Sequence, residues 1–475
     1  METGLYGNFL VRLTLFGWIP FVLFLFTVFP PRRAVIWAFL LAWLFLPMAG
    51  FGVKGLPDYT KMSATTAGVL IGALIFDTDR ILAFRPRWVD IPMAVWCLSP
   101  FISSYLNDLG AYDGVAEIVH GTIIWGLPYV IGRVYFSDLE GLRDLALGMF
   151  MGGLIYIPLC WLELRLSPQL HLWVYGYHQH SFAQSERDGG YRPMVFMQHG
   201  LMVSMWMAMT GLIGVWLWRS KTVARVWDMP VNYLVPALLI TAYLCKSKYA
   251  LLLLLTGVGM LYLAKTMRTS WLIILLALVP PTYTILRATG AVTGETMVAE
   301  AKNWFGDERS RSLFVRVDNE NALVEKAMEK PWFGWGGWGR SRVTDDEGRD
   351  RITDSLWIIT IGKAGWVGLA ALMAMLLLPM LLVCKDWKVE LWSHPAVAPV
   401  VVLGMITMLY MFDHLMNGMV NPIFMLAVGA VGSAHYILKP QPRAAFPVMM
   451  GQRPPNYPQP AGPGAPVQPQ GFRAA

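Results

Sequence analysis

Long apolar segments constrain the fold of this chain more than any other feature of its sequence. A helix needs about 20 apolar residues, and at least ~17, to cross a lipid bilayer. The segments of roughly this length are residues 9–29, 34–51, 62–77, 88–105, 115–132, 143–162, 195–218, 230–245, 249–265, 271–288, 355–384, 395–412 and 419–438. Two of them, 62–77 and 230–245, are short. The sequence therefore predicts an all-α, polytopic transmembrane bundle of about 12–14 helices.

The composition supports a membrane environment. Of the 475 residues, 56% are hydrophobic and 15% are charged, against about 25% charged residues in soluble domains. The net charge of +7 lies mostly in short loops between apolar segments. We therefore expect membrane lipid as a partner, and no nucleic acid. The four cysteines are scattered without metal-ligand spacing, and the sequence predicts neither a metal nor another cofactor.

The lysines and arginines of the short loops predict the orientation of the chain, because cytoplasmic loops carry an excess of these residues. Those that fall on the rich side are Arg32, Arg33, Arg80, Arg85, Arg87, Arg133, Arg143, Arg219, Lys221, Arg225, Lys265, Arg268, Lys385 and Lys388. We expect that side to face the cytoplasm, with the N-terminus and the long loops 163–194 and 289–353 outside. The prediction is a multi-pass protein of the cytoplasmic (inner) membrane whose periplasmic or extracellular side is active.

Three parts of the chain differ in composition. Residues 1–438 form the predicted membrane domain. Within it, the external loop 289–353 contains an amphipathic segment, 312–330, which predicts a helix that Pro331 ends. The tail, 440–475, is rich in Pro, Gly and Gln. Such a composition cannot bury a core, so we expect a disordered cytoplasmic tail.

A polar turn between two apolar segments is the first candidate site. Its Lys246 and Lys248 depart from the positive-inside pattern, because they lie on the predicted outer side. A charge near the membrane is costly unless it is used or reaches the interface. The pair indicates either a solvated interfacial turn or an anion site at the outer ends of two helices.

The external loop supplies the second group of candidates. Arg316 lies one turn before Glu320, and either pairs with it on a helix surface or binds an anion. In the glycine-rich turn that follows, Trp335 and Trp338 suit either an organic ligand such as a sugar or an interfacial aromatic belt. Asp354 precedes the next span, where it acts either as a helix N-cap or as a carboxylate directed at an acceptor hydroxyl.

Polar residues near the outer ends of other spans form the third group. Arg192 and His199 follow the first long loop, and belong either to a polar substrate pocket or to an interfacial arginine and a hydrogen-bonded histidine of the bundle. His414, before the last span, either joins such a pocket or forms part of a plain polar turn. Lys363 lies inside a span, so it should face the bundle interior or a water-filled cavity.

In this order, these residues resemble the O-antigen ligase and O-antigen/exopolysaccharide polymerase superfamily of membrane glycosyltransferases. That family has a Ser-Arg-Gly-like turn, an external loop with an arginine followed by Pro-x-x-Gly-x-Gly, a His-Asn-Ser-like start of the next span, and Gly-x-x-Gly within it. The positions that correspond here are Ser247-Lys248-Tyr249, Arg316, Pro331-Trp332-Phe333-Gly334-Trp335-Gly336, Thr353-Asp354-Ser355 and Gly365-Trp366-Val367-Gly368. The likeness is best over residues 190–435, and it depends mostly on order and topology.

The chain departs from the family pattern at two positions. Lys248 replaces the turn arginine, which keeps the charge but loses bidentate phosphate binding. Thr353 or Asp354 stands where the family has its histidine, and a carboxylate is the weaker general base. These changes are compatible with a divergent enzyme and with an inactive relative.

The resemblance implies metal-independent polymerisation or ligation of surface polysaccharide. The donor would be a polyprenyl-diphosphate-linked glycan, the acceptor a glycan or lipid, and polysaccharide-assembly proteins would be further partners. Lys248 and Arg316 would hold the leaving diphosphate, and Asp354 would act on the acceptor hydroxyl. The substrate-binding candidates are Arg192, His199, Lys246, Trp335, Trp338 and His414. Two alternatives stay open: a transporter or flippase of lipid-linked or anionic solutes, and a non-catalytic subunit of polysaccharide assembly.

Overall fold

The computed structural model describes residues 7–53, 56–187, 189–292, 307–344, 348, 350–351, 353 and 355–437, with the backbone alone at 56, 307–317 and 338. Most of this part of the chain is α-helical. The α-helices are Phe9–Phe16 (α1), Trp18–Val28 (α2), Pro31–Phe45 (α3), Lys61–Phe76 (α4), Thr78–Leu82 (α5), Ile91–Leu106 (α6), Gly110–Gly121 (α7), Leu127–Tyr135 (α8), Leu139–Leu166 (α9), Leu170–Tyr175 (α10), Gly200–Arg219 (α11), Val231–Leu244 (α12), Lys248–Met267 (α13), Trp271–Ala277 (α14), Val279–Ala288 (α15), Asp307–Met328 (α16), Leu356–Asp386 (α17), Ala398–Met416 (α18) and Pro422–Ile437 (α19).

Eight helical segments of the described chain are long and apolar enough to cross a membrane, and the pair α1 and α2, bent by 45°, makes a ninth if it is one span. The segment Gly110–Tyr135 runs through α7, a π-helical turn at Thr122–Gly126 and α8. Four predicted spans form shorter helices: α3, α4, α12 and α19. Each predicted segment thus overlaps a helix. The prediction of an all-α, polytopic membrane bundle is confirmed.

The helix predicted over 34–51 ends early, at Phe45. Leu46 is extended because a proline follows it, and the residue before a proline is disfavoured in the helical conformation. The chain then forms an antiparallel hairpin of Gly50–Val53 (β1) and Leu56–Thr60 (β2). Two smaller antiparallel hairpins have two residues in each strand: Glu186–Arg187 (β3) with Gly190–Tyr191 (β4), and Arg225–Val226 (β5) with Met229–Pro230 (β6).

The helix predicted from residue 195 starts later, at Gly200. The segment before it bends around Glu163, a buried carboxylate near the end of α9. Glu163 accepts hydrogen bonds from the backbone N–H groups of Leu170 (3.0 Å), Met194 (2.8 Å) and Val195 (2.7 Å). A buried carboxylate requires such donors, so this loop is fixed to the bundle instead of continuing the helix.

The central helices of the bundle are α11 and α18. In each of these two helices, 89% of the most apolar stretch of 18 residues is buried, whereas in α13 33% of such a stretch is buried. The outer helices expose large apolar side chains, among them Leu252 and Leu255 of α13. This distribution is expected where lipid is the solvent.

Two glycines bring α8 and α19 into close contact. A Cβ atom at Gly132 would lie 2.2 Å from the carbonyl oxygen of Leu426, and one at Gly429 would lie 2.1 Å from the carbonyl oxygen of Tyr129. Any side chain at either position would therefore overlap the backbone of the other helix. Small residues allow transmembrane helices to approach this closely.

A buried ionic network lies beside these glycines. The guanidinium of Arg133 donates to Asp90 Oδ1 (2.8 Å) and to Ser433 Oγ (2.6 Å). The hydroxyl of Tyr129 donates to the same Asp90 oxygen (2.6 Å). Buried charges persist only when they are paired and hydrogen-bonded. Gly132, Gly429 and this network are called the closed contact below.

The external loop contributes α16, which covers most of the segment predicted as amphipathic. Its last turns bury Leu323, Val324 and Ala327, and it packs against α15 and α17. The predicted disordered tail, 440–475, lies outside the described residues.

Candidate functional site

The helix α17 is interrupted inside its membrane-spanning segment. Gly365 has φ +61° and ψ −160°, which lie outside the helical region. The interruption leaves backbone groups on both sides without the partners that a regular helix would give them. Within a membrane, such groups need partners from elsewhere in the protein.

The loop segment 331–336 supplies partners for the first half of the helix. The N–H of Trp335 donates to the carbonyl oxygen of Gly362 (2.8 Å), and the N–H of Gly336 donates to that of Lys363 (3.0 Å). The external loop thus satisfies the carbonyl groups that the break would otherwise leave unpaired.

The same segment also accepts hydrogen bonds from the second half of the helix. The N–H of Trp366 donates to the carbonyl oxygen of Pro331 (2.7 Å), and the N–H of Val367 donates to that of Trp332 (3.1 Å). We call residues 331–336 and 362–367 together the loop–helix junction. Its backbone bonds run in both directions across the break.

Two glycines make the junction possible. Gly334 has φ +68° and Gly365 φ +61°, a conformation that other residues rarely adopt. A Cβ at Gly334 would lie 2.5 Å from the carbonyl carbon of Lys363, and one at Gly365 would lie 2.4 Å from that of Trp332. Pro-x-x-Gly-x-Gly and Gly-x-x-Gly, which are separate motifs in the sequence, therefore form one structural unit.

Side chains at the end of α6 hydrogen-bond to the loop segment of the junction. Ser103 donates through its hydroxyl to the carbonyl oxygen of Phe333. Asn107 donates to the carbonyl oxygen of Gly334 (3.0 Å) and accepts a hydrogen bond from the ammonium of Lys330. The loop segment 331–336 is thus held both by α17 and by the end of α6.

Trp335, a predicted substrate contact, is engaged within the loop. Its indole N–H donates to the carbonyl oxygen of Lys326 (2.8 Å). Its ring centroid lies 4.0 Å from the ammonium of Lys326 and 4.5 Å from that of Lys330, a cation–π arrangement. Contact of Trp335 with a sugar stays a prediction. Trp338 lies in a 3₁₀ turn, Trp338–Arg340, and its side chain is outside the described part of the chain.

A cavity opens beside the junction, between α6, α7 and the first half of α17, with about 140 Å³ of space for the centres of water molecules. Gly336 of the junction forms part of its wall. The wall also includes the side chains of Trp96, Glu117, His120, Trp125, Thr360 and Lys363.

A charged pair faces this cavity. The ammonium of Lys363 lies 3.3 Å from Oε2 of Glu117, and the two side chains are 30% and 29% exposed. The structure thus gives Lys363 a partner that the sequence did not identify. Neither Glu117 nor His120 was predicted, although an acid inside the apolar segment 115–132 was the signal that could have found Glu117.

A buried carboxylate fixes α16 to the start of α17 and the end of α15. Glu320 accepts a hydrogen bond from the hydroxyl of Ser355 (2.8 Å), and its other oxygen lies 3.6 Å from Nη2 of the buried Arg287. The same nitrogen donates to Asn321 (2.9 Å). Arg287 was not predicted, because its sequence position resembles that of any interfacial arginine.

Two predicted catalytic residues fall at the edge of what the structure describes. Arg316 is placed in α16 by its backbone, one turn before Glu320, and its side chain is outside the described residues. Asp354 is outside them altogether. The N-cap position of α17 belongs to Ser355, so the cap predicted at Asp354 is placed one residue too early.

The turn before α13 brings two other predicted residues together. Arg192 donates to the carbonyl oxygen of Lys246 (3.0 Å), and the ammonium of Lys246 donates to that of Arg187 (2.9 Å). Lys246 has φ +54°. Lys248, the first residue of α13, is exposed and forms no ion pair within the described part of the chain. Its ammonium and the N-terminus of α13 make this turn electropositive.

His199 occupies the N-cap position of α11. Its Nδ1 accepts a hydrogen bond from the N–H of Leu201 (3.0 Å), and its Nε2 lies 3.2 Å from the side-chain oxygen of Gln184. Because Nδ1 accepts, the ring is neutral and Nε2 is the donor. The described residues contain no group of three His, Cys, Asp or Glu side chains that converge on a metal position.

His414 is fully buried in α18. Its Nδ1 lies 3.3 Å from the carbonyl oxygen of Asn417, and its ring centroid lies 4.1 Å from that of Tyr410 and 6.3 Å from that of Trp125. Asn417 also donates to Asp413 (2.6 Å). His414 therefore lies behind the cavity wall rather than in it.

The predicted residues whose side chains are described thus lie in four places: the turn with Arg192, Lys246 and Lys248, the N-cap of α11 with His199, the junction with Trp335 and Lys363, and the buried position of His414. A hydrogen bond from Tyr249 to the carbonyl oxygen of Phe412 (2.6 Å) ties the turn to α18. No protein-family model matches the sequence, and no curated protein matches it.

Proposed function

We propose that this protein polymerises or ligates surface polysaccharide on the external face of the cytoplasmic membrane, with a polyprenyl-diphosphate-linked glycan as donor. The observation that carries the proposal is the loop–helix junction. Two of the motifs that carry the resemblance are glycine motifs about 30 residues apart, and in this fold they meet through backbone bonds and mutual close approach. Each motif alone is degenerate. Because the two motifs contact each other in the fold, their joint occurrence supports the resemblance more than either motif does alone.

The proposed reaction needs a site for a leaving anion. The acceptor hydroxyl oxygen attacks the anomeric carbon of the donor, and the bond from that carbon to the phosphate oxygen breaks. The electron pair leaves with the polyprenyl diphosphate, which Lys248 and Arg316 stabilise as its charge develops. The proton of the hydroxyl passes to the carboxylate of Asp354. Lys248 suits this role because it is exposed at the N-terminus of a helix.

Transport is the second candidate function, and one observation favours it. Discontinuous helices with a charged residue at the break also occur in transporters of ions and anionic solutes. Lys363 lies at such a break. A transporter or flippase would move the lipid-linked glycan without forming a glycosidic bond, whereas the proposed enzyme forms that bond and releases polyprenyl diphosphate. A non-catalytic assembly subunit would do neither.

The test uses the full-length protein in proteoliposomes, with lipid-linked glycan extracted from the producing cells. We expect longer glycan chains or glycan transferred to an acceptor, together with free polyprenyl diphosphate. Lys248→Ala should reduce product formation about 10²–10³-fold, the range seen when one group that stabilises transition-state charge is removed. Lys248→Arg should retain more activity than Lys248→Ala, because it keeps the charge.

The matched control is Lys265→Ala, which removes a lysine from the last turn of the same helix and should leave product formation unchanged. Donor that changes leaflet without any new glycosidic bond would support the transporter instead. Equal activity of the Lys248→Ala and wild-type proteins would refute the anion site.

A further inference from the structure

The cavity beside the junction is lined by polar groups whose donors and acceptors are only partly used by hydrogen bonds within the described protein. An ammonium has three donors and a carboxylate two acceptor oxygens, whereas the contact between Lys363 and Glu117 uses one of each. The cavity therefore offers both donors and acceptors to a ligand.

Aromatic rings form another part of the wall. The ring centroids of Trp96 and Trp125 lie 5.1 Å apart, with planes inclined by 61°. Trp125 is buried in the bundle, and Trp96 is partly exposed. Rings in this arrangement present flat apolar surfaces on which the C–H face of a ligand can pack.

The charge of the cavity limits what it can bind. The charges of Glu117 and Lys363 cancel, so a diphosphate gains little there compared with the electropositive turn at Lys248. A purely apolar ligand would bury the charged pair without further hydrogen bonds, which is costly. A ring that carries several hydroxyl groups and one apolar face satisfies both parts of the wall.

We propose that this cavity binds a sugar ring of the glycan substrate. Glu117 and Lys363 hydrogen-bond to its hydroxyl groups, while Trp96 and Trp125 pack against its C–H face. This inference rests on the proposed function and adds to it a sugar site that is separate from the anion site at Lys248. The junction contributes Gly336 to the wall of this site.

Saturation-transfer NMR tests the proposal on the full-length protein in lipid nanodiscs. The probes are methyl glycosides of hexoses and N-acetylhexosamines, and fragments released by mild acid from the surface polysaccharide of the producing cells. We expect saturation transfer to the ring protons of at least one probe. Glu117→Gln and Lys363→Met should each weaken binding about fivefold or more, as the loss of one hydrogen bond predicts.

The matched control is Glu329→Gln, which breaks an exposed pair with Lys326 (2.8 Å) outside the cavity and should bind the probes like the wild type. Lys363→Met keeps the unbranched apolar stem of its side chain, so it tests the site even if Glu117→Gln does not fold. The proposal is overturned if no probe shows transfer above that of empty nanodiscs, or if both cavity variants bind like the wild type.

The experiment also separates this proposal from the glycosyltransferase activity. Probe binding requires neither the lipid-linked donor nor Lys248, so Lys248→Ala should bind the glycosides normally. Binding without any glycosyl transfer would refute the proposed enzyme but keep the sugar site. Glycosyl transfer by a protein whose cavity variants behave like the wild type would refute the sugar site alone.

Discussion

Glycines allow close backbone approach both in the closed contact and in the loop–helix junction. The helices of the closed contact stay regular, whereas the helix of the junction is interrupted. At Gly132 and Gly429, an added Cβ would lie within 2.2 Å of a carbonyl oxygen, and at Gly334 and Gly365 within 2.5 Å of a carbonyl carbon. The first pair lies within regular helices. The second pair has positive φ and stands at an interruption.

The difference shows how irregular backbone can be accommodated inside a membrane protein. Regular helices satisfy their own backbone groups, so the closed contact needs only small residues and a fully paired network around Arg133. The junction exchanges helical hydrogen bonds for bonds to the loop, which is tolerated where the backbone is buried in protein or lines a cavity. The large cavity accordingly lies at the junction.

The largest effect is expected at Asp354, which precedes the interrupted helix in the sequence. If its carboxylate accepts the proton, Asp354→Asn should lower glycan formation ~10²–10⁴-fold, because an amide cannot act as the base. Chain formation from lipid-linked donor is the measurement, with thermal unfolding of each variant alongside it. Asp138→Asn is the control, since Asp138 caps α9 by accepting from Gly141 (2.7 Å) and Asn caps as well as Asp. Full activity in Asp354→Asn would remove the residue from the mechanism.

A substitution at Gly334 should distinguish the two glycine pairs. Gly334→Ala adds backbone overlap and a strained φ, which should cost about 2–4 kcal/mol of stability. We expect it to lower the unfolding temperature and to abolish glycoside binding. Gly429→Ala should also destabilise the protein, but the molecules that remain folded should bind normally. Gly339→Ala in the same loop, where an added Cβ meets nothing within 4 Å, should change neither property. Normal binding by Gly334→Ala would separate the junction from the cavity.

A smaller effect is expected at the closed contact. Tyr129→Phe removes a hydrogen bond to the carboxylate of Asp90, so stability should fall by about 1.5–3 kcal/mol. Because the closed contact is a packing feature, glycan formation per folded molecule should stay at the wild-type level. Chemical unfolding and activity of the same preparation provide the measurement. Reduced activity of the folded fraction would show that the closed contact is coupled to the site.

The smallest expected effect is the contribution of His171, in α10, to the pH dependence of stability. Its Nε2 accepts from the N–H of Met48 (3.3 Å), and its Nδ1 donates to the carbonyl oxygen of Tyr177 (2.9 Å). Burial lowers the pKa of His171 to about 4, whereas an unfolded histidine has a pKa of about 6.5. As the pH falls, the unfolded state takes up the proton first, so the contribution to stability is complete above pH ~6.5 and is lost towards pH 4.

The stability of the wild-type protein should therefore fall between these pH values, by at most about 1.4 kcal/mol per pH unit from this residue. Unfolding midpoints across this range provide the measurement. His171→Gln should flatten the dependence, and His394→Gln, at an exposed position, should not. An unchanged slope in His171→Gln would assign the acid sensitivity to other groups.

Local signals predicted the fold well and the site poorly, for a physical reason. Apolar length is a property of consecutive residues, so every span was found, and the early end of α3 has a local cause in the proline after Leu46. The break at Gly365 lies within a segment that is apolar apart from Lys363 and the residues at its end, and its partners come from a loop outside that segment. The pair of Glu117 and Lys363 joins residues 246 positions apart. Single lysines and arginines were identified by charge, but the contacts that decide their roles are tertiary.

The mutual fit of Gly334 and Gly365 also constrains how descendants of this protein can change. Each position faces the backbone that carries the other, so a side chain at either one displaces both segments. Even the smallest replacement, alanine, at one glycine overlaps the backbone of the other segment while the second glycine remains in place. Lineages that keep this architecture should inherit the two glycines together, and a lineage that loses one should lose the other and the interrupted helix with it.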